Sequence, residues 1–152
     1  METLLAGAGS FPTVGIKKIV AAVDLSPESK ETTYFAGAFA KALGASLVLV
    51  HVLLVDPLYH LTNVFEEEHR RRAEGLLAAL RADLKKRSVP CESRVLLGDP
   101  AEEIANLARE VGADLLITGA RRPSPIAQWF KIDRPPQIML SAPCSVLVYR
   151  SK

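Results

Sequence analysis

Residues Ser46–Val55 read SLVLVHVLLV, an almost unbroken apolar run with a single histidine, His51, inside it. A strand with one wet face alternates apolar and polar residues. A run without alternation fits a strand covered on both faces, which is the condition of a parallel sheet. Asp56-Pro57 ends the run. Parallel neighbours need crossovers, so helices are expected on either side of it in sequence.

Upstream, Gly44 stops a helix in which Phe35, Ala38, Phe39, Ala42 and Leu43 recur at helical spacing, with Ser26 as candidate N-cap and Pro27 at the first helical position. Ile16–Asp24 (IKKIVAAVD) precedes it as a first strand. Downstream, after an irregular piece through Asn63, the residues Phe65, His69, Ala73, Leu76, Leu77, Leu80 and Leu84 step by three and four. They predict a long helix whose other face, with Arg70, Arg71, Arg81 and Lys85, reads as solvated.

Cys91–Leu97 is a third strand. Asp99, Pro100 and Glu102 then supply an N-cap, a first helical position and a capping-box partner for a helix buried through Ile104, Leu107, Ala108 and Val111. Asp114–Thr118 (DLLIT) and Ser145–Tyr149 (SVLVY) are the fourth and fifth strands. The pattern predicts an α/β fold, a five-stranded parallel sheet with helices on both faces and right-handed crossovers.

With 152 residues, 49% apolar and 24% charged, the chain has the composition of one globular domain. We expect a leader over residues 1–15, without the pattern of a signal peptide, and a single domain over 16–152. Nineteen Lys and Arg against 17 Asp and Glu leave a net charge of +2, too little for a dedicated nucleic-acid binder. No run approaches the ~18 apolar residues of a membrane span. Two widely spaced cysteines, Cys91 and Cys144, make neither a disulfide framework nor a zinc pattern and suit a cytoplasmic protein.

In a parallel α/β sheet, ligands bind outside the carboxyl ends of strands where the strand order reverses. The segments to search are therefore Asp24–Ser26, Val52–Pro57, Leu97–Pro100 and Thr118–Arg122. Asp24 has two readings there: a hydrogen-bond acceptor for a ligand, or the organiser of the turn before Ser26 and Pro27.

The chain resembles the universal stress protein family from Ile16 to Arg150. The matching pieces are IVAAVDLSPES, LVLVHVL, LLGDPAEEIANLARE, ADLLITGARR and APCSVLVYR, in that order. The resemblance implies a flavodoxin-like (Rossmann-like) sheet in the order 3-2-1-4-5, a crevice between strands one and four, and a homodimer paired through the last strand, residues 145–150. It also implies a nucleotide-type pocket in which Ala22, Val23, Asp24 and Val52 lie by the base, with Thr118, Gly119, Ala120 and Arg121 under the ribose and phosphates. AMP or ATP is the cofactor it suggests.

In ATP-binding members a glycine follows the fourth strand, a second comes after two residues, and a third after nine more, followed by Ser or Thr. The same spacing here gives Gly119, Arg122, Ile132 and Asp133. Only the first glycine is present. Side chains at Arg122 and Ile132 obstruct close approach of amides to phosphates, and an ionised Asp133 would repel a phosphate by about 1–4 kcal/mol, depending on exposure. Arg121 and Arg122 could instead hold a smaller anion. Trp129 and Phe130, in the same stretch, read as a seal on the core edge or as the anchor for a protein partner.

Sequence motifs of catalysis are missing: there is no GxSxG elbow, HExxH pair, GxxxxGK[ST] loop or GxGxxG turn. His51, His60 and His69 share no metal-ligand spacing. We therefore expect a non-catalytic stress-response or regulatory homodimer with an altered nucleotide pocket, the alternatives being an AMP/ATP-binding sensor and a slow nucleotide hydrolase.

Overall fold

The computed structural model describes residues 14–54, 63–120, 138 and 140–151. Its strands are β1 (Lys18–Ala22), β2 (Ser46–Leu53), β3 (Cys91–Leu97), β4 (Leu115–Gly119) and β5 (Ser145–Tyr149). Helices α1 (Glu28–Leu43), α2 (Asn63–Lys86) and α3 (Pro100–Val111) connect the first four. All pairings are parallel and the order is β3-β2-β1-β4-β5, as the resemblance implied.

The expected double coverage of β2 is met. Leu47 and Leu49 face a core shared with Ile19, Ala36, Ala40, Leu77 and Leu84, so α1 and α2 cover that side. Val48 and Val50 face the other core, with Val20, Leu116, Ile104, Leu107 and Ile138, under α3. A side-chain period of two sends neighbouring residues of one strand to opposite layers.

α1 departs from the expected stripe. Its buried residues are Ser29, Thr32, Thr33, Ala36, Gly37 and Ala40; Phe35 and Phe39 only flank them, and Ala38, Ala42 and Leu43 are exposed. The reason is closeness. A Cβ on Gly37 would collide with Leu84 Cδ2, so small residues set the approach of α1 to α2 and the phenylalanines spread to the margin. Phe35 stacks on Tyr149 with ring centroids 4.3 Å apart, which carries α1 out over β5.

The start of α1 differs as well. Pro27 occupies the cap position without a side-chain cap, because the Ser26 hydroxyl turns back to the Asp24 carboxylate. The start of α3 follows expectation, Asp99 Oδ2 accepting from the Glu102 amide at 3.0 Å and Pro100 opening the helix; of its expected stripe Ile104, Leu107 and Ala108 are buried and Val111 is half-buried. In α2, Ala73, Leu77, Leu80 and Leu84 are buried, Leu76 is half-buried and His69 is exposed rather than part of the stripe; the side chain of Phe65 lies outside the described residues.

Asp114 sits just before β4 rather than in it. Its carboxylate accepts from the amides of Lys17 and Lys18 at 2.8 and 3.0 Å, and its own amide donates to the Lys18 carbonyl at 2.8 Å. These bonds clasp the entrance of β1 to that of β4, and the two donated amides hold the carboxyl below its ordinary pKa. The register of the crevice walls is thus fixed from the far end.

Candidate functional site

The strand order reverses between β1 and β4. From β1 the chain turns into α1 on one face of the sheet; beyond β4 it reappears at Ile138 on the other. Divergence of the two exits leaves a crevice above the carboxyl ends of these strands. Ala22, Val23 and Asp24 stand on one side of it and Thr118, Gly119 and Ala120 on the other, with β1 and β4 paired up to Ala21 and Ile117. Val52 lies on β2, beside β1. Seven expected site residues therefore share one end of the sheet. Arg121, Arg122 and Asp133 lie outside the described residues, as do Trp129 and Phe130.

The backbone past β1 is held in place. Val23 donates its amide to Val50 O at 2.8 Å, and its carbonyl lies 2.7 Å from Nδ1 of His51. A carbonyl only accepts, so that nitrogen carries the proton. Burial pushes the His51 imidazole below its ordinary pKa, against the smaller upward pulls of the Val23 carbonyl and the Asp24 carboxylate. His51 is thus neutral at physiological pH. In the sequence its one signal is a polar ring inside an apolar strand, which must find a hydrogen-bond partner.

Asp24 serves the turn. Its Oδ1 accepts from the Ser26 amide at 2.8 Å and from the Ser26 hydroxyl, while Ser29 Oγ donates to the Asp24 carbonyl at 2.6 Å. This is the turn-organising reading of the residue.

Gly119 has a packing reason of its own: a Cβ there would stand 2.7 Å from Thr32 Oγ1. The Ala120 amide donates to Tyr149 O at 2.8 Å, so it belongs to the sheet ladder. Gly98, at the end of β3, has φ of 146° and donates to Leu53 O at 2.9 Å.

No group of three or more His, Cys, Asp or Glu that could hold a metal ion occurs among the described residues. At the amino end of the sheet, a cavity of about 150 Å³ lies against Lys18, Ser46, Pro90 and Cys91. Burial pushes the Cys91 thiol up to about 11, which leaves it protonated and unreactive. No helix among the described residues is long and apolar enough to cross a membrane.

The family model described as the universal stress protein family matches residues 15–150. A universal stress protein from the QAH/OAS sulfhydrylase 3′ region of Thermus aquaticus is 34% identical over 135 residues, spanning 88% of this chain and 98% of that protein. Among solved structures, a universal stress protein in complex with cAMP has a TM-score of 0.71 at 22% identity, covering 90% of this chain and 99% of that one. The universal stress protein of Archaeoglobus fulgidus in complex with dAMP has a TM-score of 0.67 at 23% identity, with 87% and 96% covered.

Proposed function

The chain belongs to the universal stress protein family, and from that premise we propose that it is a non-catalytic regulatory homodimer whose β1/β4 crevice takes an adenosine monophosphate rather than ATP with magnesium. The observation that carries the reading is the composition of the crevice. Its described walls are the apolar Ala22 and Val52, the backbone past Val23, and one glycine, Gly119. Small, apolar walls of this kind suit a nucleoside. At the motif positions where ATP-binding members of the family have glycines and a hydroxyl, this sequence has Arg122, Ile132 and Asp133, and two adjacent arginines, Arg121 and Arg122, suit one phosphate better than three. Structures of the same fold that hold cAMP and dAMP support the ligand class.

A regulatory role fits a site whose hydroxyl beside a carboxylate, Ser26 on Asp24, is engaged in the turn before α1. Free thiols at Cys91 and Cys144 fit a reducing, cytoplasmic setting. The test is titration calorimetry of the purified chain with AMP, with ATP and with ATP plus magnesium, together with identification of the small molecules released on denaturation. We expect AMP to bind and magnesium to add nothing to ATP binding. Tight, magnesium-dependent binding of ATP would reject the reading, and phosphate release from ATP would reject its non-catalytic part.

A further inference from the structure

β3 is an outer strand of the sheet, paired among the described residues to β2 alone. At its two ends the amide of Leu47 donates to Pro90 O and that of Gly98 to Leu53 O, each at 2.9 Å. In a parallel pair the bonding residues alternate, so Glu92, Arg94 and Leu96 direct their backbone groups to β2. Cys91, Ser93, Val95 and Leu97 turn theirs outward, where no backbone partner is found among the described residues. Such a row is a template for another strand.

Charges on an edge ordinarily deter a second strand, and this edge carries two, Glu92 and Arg94, both exposed. They pair in register with Val48 and Val50, which face the core under α3, so the two side chains rise from the same face of the sheet. Arg94 Nη1 lies 3.9 Å from Glu110 Oε1 on α3, an exposed and weak pair, and no ion pair is found for Glu92 among the described residues. Two like charges here would repel a second copy of the edge. Opposite charges two residues apart do the reverse.

We infer that β3 is a self-association edge on which two copies of the chain pair antiparallel about a twofold axis at Ser93. That axis sets Ser93 against Ser93 of the second copy and Cys91 against its Val95, pairs whose outward amides and carbonyls exchange two hydrogen bonds each. Between them Glu92 stands across from Arg94 of the second copy, and Arg94 across from its Glu92. These are the positions without mutual backbone bonds, where opposing side chains come closest, with Cα atoms about 4.5 Å apart. Other axes lose the match. At Glu92 or Arg94 the axis would set a charge against its own copy, and at Val95 it would set Arg94 against Leu96. Because β3 and β5 bound opposite sides of the sheet, this contact is separate from the one expected along residues 145–150 and joins dimers into larger assemblies.

The test is disulfide cross-linking of the full chain. Hydrogen-bonded antiparallel partners have Cα atoms about 5.5 Å apart, a spacing that a disulfide spans. Ser93→Cys is expected to link to its own copy on mild oxidation, whereas Leu97→Cys, exposed on the same strand but far from the axis, is not. Adding Glu92→Arg or Arg94→Glu to Ser93→Cys should slow the linking at least tenfold, because like charges then meet across the axis. An equimolar mixture of those two double variants should link again, as a mixed dimer identified by its mass, since every arginine then faces a glutamate. That recovery also shows that neither variant has lost its fold. Absence of a link in Ser93→Cys, equal linking of Leu97→Cys, charge variants that link as fast as Ser93→Cys alone, or a mixture that does not recover would each overturn the pairing. None of these outcomes depends on residues 145–150 or on a bound nucleotide.

Discussion

A methyl group on Gly119 would stand 2.7 Å from Thr32 Oγ1 but 3.7 Å from Thr32 Cβ and Cγ2, so the conflict is with one oxygen. Gly119→Ala should therefore cost about 1–3 kcal/mol, the usual range for overpacking. Adding Thr32→Ala should recover most of it, a coupling that urea denaturation of the two single variants and the double variant will read. Additive losses would mean that Gly119 is needed for something other than its distance from Thr32. Such a glycine is ambiguous in sequence, because close helix packing and phosphate approach ask for the same residue. His51 gives a second prediction at this scale. Its folded pKa lies below its unfolded value of about 6.5, so the unfolded chain binds the extra proton first and stability falls as pH drops through and below that value. His51→Asn, whose amide can still donate to the Val23 carbonyl, should remove that part of the pH dependence. Denaturation midpoints at pH 7.5 and 5.5 decide it: an unchanged difference between the two would assign the dependence to other groups.

Among the elements, α3 was legible in its start and in all of its buried stripe but Val111, which is half-buried, and α1 was not. The start of α3 is written in residues with one strong local use each, Asp99 as cap and Pro100 as first helical position, and the structure uses both. Asp99→Ala should lower stability by about 1 kcal/mol, and Asp99→Asn by less, since an amide oxygen can still accept from the Glu102 amide. Thermal denaturation reads the order; equal losses would show that the negative charge and not the cap bond matters. At α1 the apolarity of Phe35 and Phe39 pointed to the margin of the buried face and not to its centre. Burial there is decided by how near α2 can come, and that is set by Gly37, Ala36 and Ala40, which weigh little on any hydrophobic scale. Ser26 misled in a related way. Its hydroxyl had two acceptable local uses, and the Asp24 carboxylate two residues earlier took it from the helix.

At the scale of the molecule, five apolar runs were enough for a parallel α/β sheet. Their order was not readable from periodicity, since a right-handed crossover is equally short to either side of a strand, and it came from the family resemblance. That order leaves β5 at an edge, paired among the described residues to β4 alone. Val148 is 40% exposed on it, and Leu140, just before it, is 89% exposed. A bare, uncharged edge strand is a hazard in solution unless something pairs with it, and in a symmetric dimer the edge of a second copy does so with no further element. We therefore expect the homodimer to form through residues 145–150. Val148→Lys places a charge on that edge at a position exposed enough to leave the monomer fold intact, and it should weaken dimerisation at least tenfold, equivalent to about 1.4 kcal/mol. Light scattering across a dilution series measures this. A wild type that is monomeric at every concentration, or a Val148→Lys dimer as tight as the wild type, would place the contact elsewhere and leave the edge to be covered by a different segment.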